Sequence, residues 1–284
     1  MDTALTLNKD NYDQMAALMG VASEVESKSK KSTLSRLRIW NAGVKVKQNN
    51  KNVEVVPPGY FRVETAEGEY YFAEKVNFRP FLQRFMYKMW DNNNNTFIKT
   101  VMADNLNIDL KDTSGGFNCG KPTGYIEDFE ALSDSMKDKI RQIKRVRVIF
   151  GDVELINPVD VNGENSQLTN HSVIWEIDNR EAFKIMGEPF KAMSKSRKLP
   201  LQHKMSLTSD EKSLPTGASY FLPIHTLDTK NEIDIVDEDQ AKFKDFVTWI
   251  ENYNNYVFTE WDSKNTNGVS DKDAQDVVDQ FVDT

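Results

Sequence analysis

The chain is short of the residues that most enzymatic and metal chemistry needs. It has one cysteine, Cys119, so an intrachain disulfide is excluded. Its three histidines, His171, His203 and His225, stand alone, with none of the short spacings of a zinc site, and no metal or cofactor is expected. There is no nucleophile elbow and no cysteine–histidine signature, so the expectation is a protein that is not an enzyme. No apolar run approaches the roughly 18 residues of a membrane span. The opening Met1-Asp2-Thr3 has neither the basic region nor the apolar stretch of a signal peptide, and a cytoplasmic protein is expected. Two motifs fall short. Gly115–Lys121 fits the first seven positions of a phosphate-binding P-loop, but Pro122 stands where a hydroxyl residue is needed. The stretch from Asp262 to Asp273 has the composition of a calcium loop, with Lys264 and Thr266 at ligand positions.

What the chain does have is charge, unevenly placed. Residues 228–284 hold 15 Asp+Glu against 5 Lys+Arg, whereas the whole chain is −8, which leaves the first 227 residues near +2. Within that body residues 28–100 carry 14 Lys+Arg against 6 Asp+Glu, interleaved with Trp40, Tyr60, Tyr70, Phe72, Tyr87 and Trp90. Cations neutralise phosphate and aromatic faces stack on bases, the two components of single-stranded nucleic-acid binding.

Periodicity outlines a β-rich α+β body. Residues 1–33 read as a polar lead-in with a short helix around 12–25. Residues 34–261 read as the nucleic-acid-binding domain, and 262–284 as an acidic, disordered tail. Strands are expected at 34–40, 44–47, 60–65, 70–76, 96–103, 140–156, 172–177 and 219–224. Phe78, Phe81, Leu82, Phe85, Met86 and Met89 fall at helical spacing, so 78–90 is expected to be a helix, as are 182–194 and 241–258.

Three basic–aromatic segments carry the candidate interface. They are Arg36, Arg38, Trp40, Lys45 and Lys47; Arg62, Tyr70, Phe72, Lys75, Arg79, Arg84, Tyr87 and Lys88; and Arg141, Lys144, Arg145 and Arg147. Trp40, Tyr70, Phe72 and Tyr87 are assigned to stacking, and the arginines and lysines to the backbone. A plainer reading competes at each position, since aromatics fill cores and alternating charges line solvated strand faces. The tail adds Asp276, Asp279, Phe281 and Asp283, acids around an aromatic that suit docking to protein partners or screening of the basic groove.

This organisation resembles the single-stranded DNA-binding proteins of bacteriophages. The shared features are the β stretch 34–76, the basic strand 140–150 and the acidic tail 262–284. The resemblance implies an OB-fold-like barrel with insertions and a few helices. It implies binding without sequence preference in phage DNA replication and recombination, in the host cytoplasm, with polymerase, helicase or nuclease recruited by the tail. Zinc, which some members hold, has no ligand cluster here. A virion structural or assembly protein and a nuclease are the rival readings. RNA as ligand, and self-association into a homo-oligomer, stay open.

Overall fold

The computed structural model describes residues 34–48, 50–167 and 170–280, with side chains as far as Thr266. The helix expected at 12–25 lies outside the described residues. The chain divides into Met1–Thr33 and Leu34–Thr284, and the structure described is that of the second unit.

Eleven strands and four α-helices make up the described residues. The strands are β1 (Ser35–Ile39), β2 (Val44–Gln48), β3 (Lys51–Val56), β4 (Phe61–Glu64), β5 (Tyr70–Ala73), β6 (Lys75–Asp91), β7 (Thr96–Lys99), β8 (Lys144–Ile156), β9 (Asn170–Ile177), β10 (Met205–Ser213) and β11 (Ser219–Leu227). The helices are α1 (Asp134–Gln142), α2 (Arg180–Ile185), α3 (Glu188–Lys195) and α4 (Asp237–Gln280). No helix of the described residues is long and apolar enough to cross a membrane.

One nine-stranded mixed sheet runs β11-β10-β6-β8-β9-β1-β4-β5, with β7 on the far end of β6, while β2 and β3 form a separate hairpin. The expected OB-type barrel is not formed: the hydrogen-bonded path ends at β11 on one side and at β5 on the other. Strand β1 pairs with β9 only at Ser35 and Arg36 and then runs on against β4. Across the remaining gap the contact is made by side chains. The Ser209 hydroxyl donates to the Gly59 carbonyl at 2.6 Å. Gly59, at φ +91°, lies under Phe221, whose ring a Cβ there would meet at 2.6 Å, so only glycine fits.

The helix expected at 78–90 is instead strand, the centre of the long β6. Its apolar spacing mimics a helix because the strand is buried on both faces and carries a bulge between Pro80 and Leu82. Before the bulge Val76 and Phe78 join the core on one face; after it Leu82 and Met86 join the core on the other. The bulge therefore breaks the period of two and leaves Phe78, Leu82 and Met86 four residues apart. The helix expected at 182–194 is broken at Gly187 into α2 and α3, and the first three residues of the strand expected at 140–156 belong to α1. Strands β3 and β10 have no counterpart in the sequence reading.

The two faces are covered differently. On one, Phe61 and Phe78 meet Trp175 edge-on, with centroids 6.1 and 5.9 Å apart, and α2 and α3 close the core through Ala182, Met186, Phe190 and Met193. Each such aromatic pair adds about 0.5–1.5 kcal/mol beyond its buried area. On the other, α4 lays Phe246 and Ile250 on Phe81, Phe150 and Ile174. Arg79 grips the start of α4 by two bonds to Asp239, at 2.8 and 2.9 Å, with the carboxylate 4% exposed. Burial works to raise the Asp239 carboxyl, but Arg79 and the Val236 N–H outweigh it and hold it below the usual carboxylate range. Further along, the Asn254 side chain bonds both the N–H and the C=O of Met102, at 2.7 and 3.0 Å.

The acidic tail expected from residue 262 is not separate at its start. The helix expected to stop at 258 continues, and the Trp261 indole and the Asn265 amide donate to the carbonyls of Gly116 and Gly115 at 3.0 Å each. The side chains of Asp276, Asp279, Phe281 and Asp283 lie outside the described residues.

Candidate nucleic-acid interface

Strand parity decides which cations can act together. Arg147 pairs with Ile177 in register, so Arg145 and Arg147 project on the face that α2 and α3 cover. Arg36 pairs with Ile174, which belongs to the α4 face. The single groove expected from Arg36, Arg38, Lys45, Lys47, Arg145 and Arg147 is therefore corrected: Arg36 and Arg38 stand on the face opposite Arg145 and Arg147, and Lys45 and Lys47 lie on the separate β2–β3 hairpin.

On the α2 side a cleft of about 640 Å³ runs along the end of β8. Its floor is Tyr87 and Arg145, one wall is Arg180 and Phe183, and the other is Leu106, Lys121, Tyr125 and Phe129. The first wall is set by Asn179, whose side chain accepts the N–H groups of Glu181 (2.8 Å) and Ala182 (3.1 Å) and so starts α2 as β9 ends. The second wall belongs to the 104–129 loop, built around the fully buried Asp112. One carboxylate oxygen of Asp112 accepts from Ser114 and Gly116, the other from Cys119, at 2.9 to 3.2 Å. The glycine-rich near-match to a P-loop thus folds its amides around the chain's own carboxylate, leaving no phosphate cradle. Burial and Asp112 push the Cys119 thiol far above its ordinary range. Among the described residues no three His, Cys, Asp or Glu side chains gather as a metal site.

Five cations line the cleft, namely Lys121, Arg141, Lys144, Arg145 and Arg180, against one acid, Asp178. That acid is already held by Lys88 at 2.9 Å and Lys144 at 3.2 Å. Burial opposes its ionisation, but the two lysines prevail and keep its pKa low. Arg141 pairs with Asp138 at 2.8 Å. Lys121, Arg145 and Arg180 have no carboxylate partner among the described residues. Lys121 donates to the carbonyls of Pro122 and Gly124, and burial, then Arg145, lower its pKa. Tyr125 stands 88% exposed at the rim.

The remaining expected residues divide into five groups. Phe72 and Tyr87 are 2% and 3% exposed, so neither offers a free face for stacking; Tyr87 lines the cleft floor with Lys121 over its ring at 5.6 Å. Arg62 lies over Trp40 at 4.0 Å and over Tyr70 at 4.9 Å, which occupies a face of each ring. Burial and then Arg38 lower its pKa. Arg79, Arg84 and Lys88 are paired with Asp239, Asp104 and Asp178. Arg36, Arg38, Lys99 and Phe97 line a second cleft, which meets the first at Asp178. Lys45 and Lys47 are exposed on the β2–β3 hairpin, and Lys75 is exposed at the start of β6.

Lys121, Tyr125, Phe129, Arg180 and Phe183 were not among the expected site residues. The signals for them were weak: a tyrosine in an irregular glycine-rich stretch, and an arginine directly after the Asp178-Asn179 helix start. Comparison with protein-family models, with curated proteins and with solved structures gives no match.

Proposed function

We propose that the protein binds single-stranded DNA without sequence preference, in the cleft between α2 and the 104–129 loop, in the setting of replication or recombination. One observation carries this reading: Lys121, Arg145 and Arg180 share an aromatic-walled cleft in which no carboxylate neutralises them. Each contact to a strand phosphate releases a counterion and contributes about 0.7 to the slope of log affinity against log salt. A base stacked on Tyr125 or Phe129 adds roughly 1–3 kcal/mol whatever its identity. The acidic C-terminal segment, in this reading, serves replication partners such as polymerase, helicase or nuclease.

The test is a titration of fluorescent oligo-dT, with oligo-U alongside, across a range of salt. Affinity for oligo-dT that falls steeply with salt supports the reading. Preference for oligo-U moves the ligand to RNA, and no binding to either at low salt overturns the reading.

A further inference from the structure

A second pocket, of about 570 Å³, adjoins the cleft and shares Leu106 and Phe183 with it. Arg147 forms its back wall and is only 7% exposed. The guanidinium lies 5.0 Å from the Phe85 ring centre and 4.6 Å from that of Phe183. Its Nε donates to the Phe183 carbonyl at 3.1 Å, and Nη1 donates to the Gln83 side-chain oxygen. Nη2 has no partner among the described residues, and no carboxylate pairs with the group. Gly187 leaves Nη2 its place, since a Cβ there would sit 2.6 Å from that nitrogen. Burial lowers this guanidinium to about 10, so it stays charged at neutral pH.

A buried charge without a counter-charge is costly, and a ligand anion is one way to offset it. Lys184 and Lys191, both exposed and without an ion-pair partner among the described residues, line the same pocket. Its acid, Glu188, is 70% exposed and reaches towards His225 at 3.7 Å. Phe85 and Leu106 supply an apolar surface. Three cations suit a monoester phosphate, with its charge of about −1.5 to −2, better than the single charge of an internal diester.

We propose that this pocket seats one phosphorylated nucleotide, with its phosphate on Arg147 Nη2 between Lys184 and Lys191 and its base against Phe85 and Leu106. In a bound strand that nucleotide is the phosphorylated end. The proposal rests on the nucleic-acid reading of the neighbouring cleft, and the experiment separates the two. The full chain is titrated with dTMP, thymidine, inorganic phosphate, and oligo-dT with or without a terminal phosphate at either end.

The expected result is that dTMP binds at least about tenfold tighter than thymidine or inorganic phosphate, and that a terminal phosphate tightens oligo-dT by about tenfold, as charge-assisted hydrogen bonds would. The surface double variant Lys184→Gln/Lys191→Gln, which keeps Arg147 and its packing, is expected to lose that end preference; Arg147→Lys, which keeps the charge but not the fork, is expected to lose most of it. Binding of dTMP without an end effect supports a site for the free nucleotide and overturns the strand-end part. Equal binding of inorganic phosphate and dTMP overturns the nucleotide part. Oligo-dT binding with no end preference and no dTMP binding overturns the proposal while the cleft reading stands. No oligo-dT binding at all overturns the cleft reading, and dTMP alone then decides the pocket.

Discussion

Where α4 meets the sheet, cations and carboxylates pair one to one: Arg79 with Asp239, and Lys242 with Asp152. On the opposite face of the same sheet, Arg145, Arg180, Lys184 and Lys191 surround aromatic side chains with no such partners among the described residues. The first arrangement attaches a helix and leaves little charge for a ligand. The second leaves charge exposed to whatever enters the cleft. Basic residues that look alike in composition thus do different work, and pairing rather than number separates them.

The largest effect is expected where a pair is broken. Arg79→Ala leaves the buried Asp239 without its ion-pair partner, and should cost about 3–5 kcal/mol of stability, read from the urea midpoint. The folded fraction should keep the oligo-dT affinity of the wild type; a selective loss of binding would place Arg79 in the interface instead.

Arg145→Gln/Arg180→Gln is the reverse case. The salt slope of oligo-dT binding should fall by about 1.4, two phosphate contacts' worth. Each surface change should move stability by no more than about 0.5 kcal/mol. The matching change Lys45→Gln/Lys47→Gln, on the β2–β3 hairpin away from the cleft, should leave the slope unaltered, and a fall there would blur the distinction between the regions.

Tyr125→Ala should weaken oligo-dT binding by about 1–3 kcal/mol through lost stacking and leave the urea midpoint in place. The residue is almost wholly exposed, so folding has little to lose.

The smallest effect concerns pH. Asp239 and Asp178 both have folded-state pKa values below their unfolded ones. Their contribution to stability is therefore complete above the unfolded carboxylate value of about 3.9 and is lost as pH falls through the lower folded values. Urea midpoints taken between neutral pH and acid should drop in that window, and Asp239→Asn should flatten part of the drop.

Much of the sheet was legible because half-buried strands alternate. Arg36 and Arg38 against Leu37 were placed correctly by a period of two alone. Strand β6 was not, because burial on both faces together with a bulge removes that period. The cleft was half legible. Strand β8 announced its arginines, but Phe72 and Tyr87 carry no mark in the sequence that separates a core ring from a stacking ring. Lys121, Tyr125 and Phe129 reach the site through a loop whose path depends on Asp112 rather than on any repeating pattern.

Photo-crosslinking of an oligo-dT carrying a reactive base, followed by mapping of the modified peptides, locates the bound strand on the protein. Adducts confined to residues 85–87, 105–107, 121–147 and 180–191 are the predicted result. Adducts on the β2–β3 hairpin or around Arg36 and Arg38, with none in the cleft, would contradict the assignment of binding to the unpaired cations.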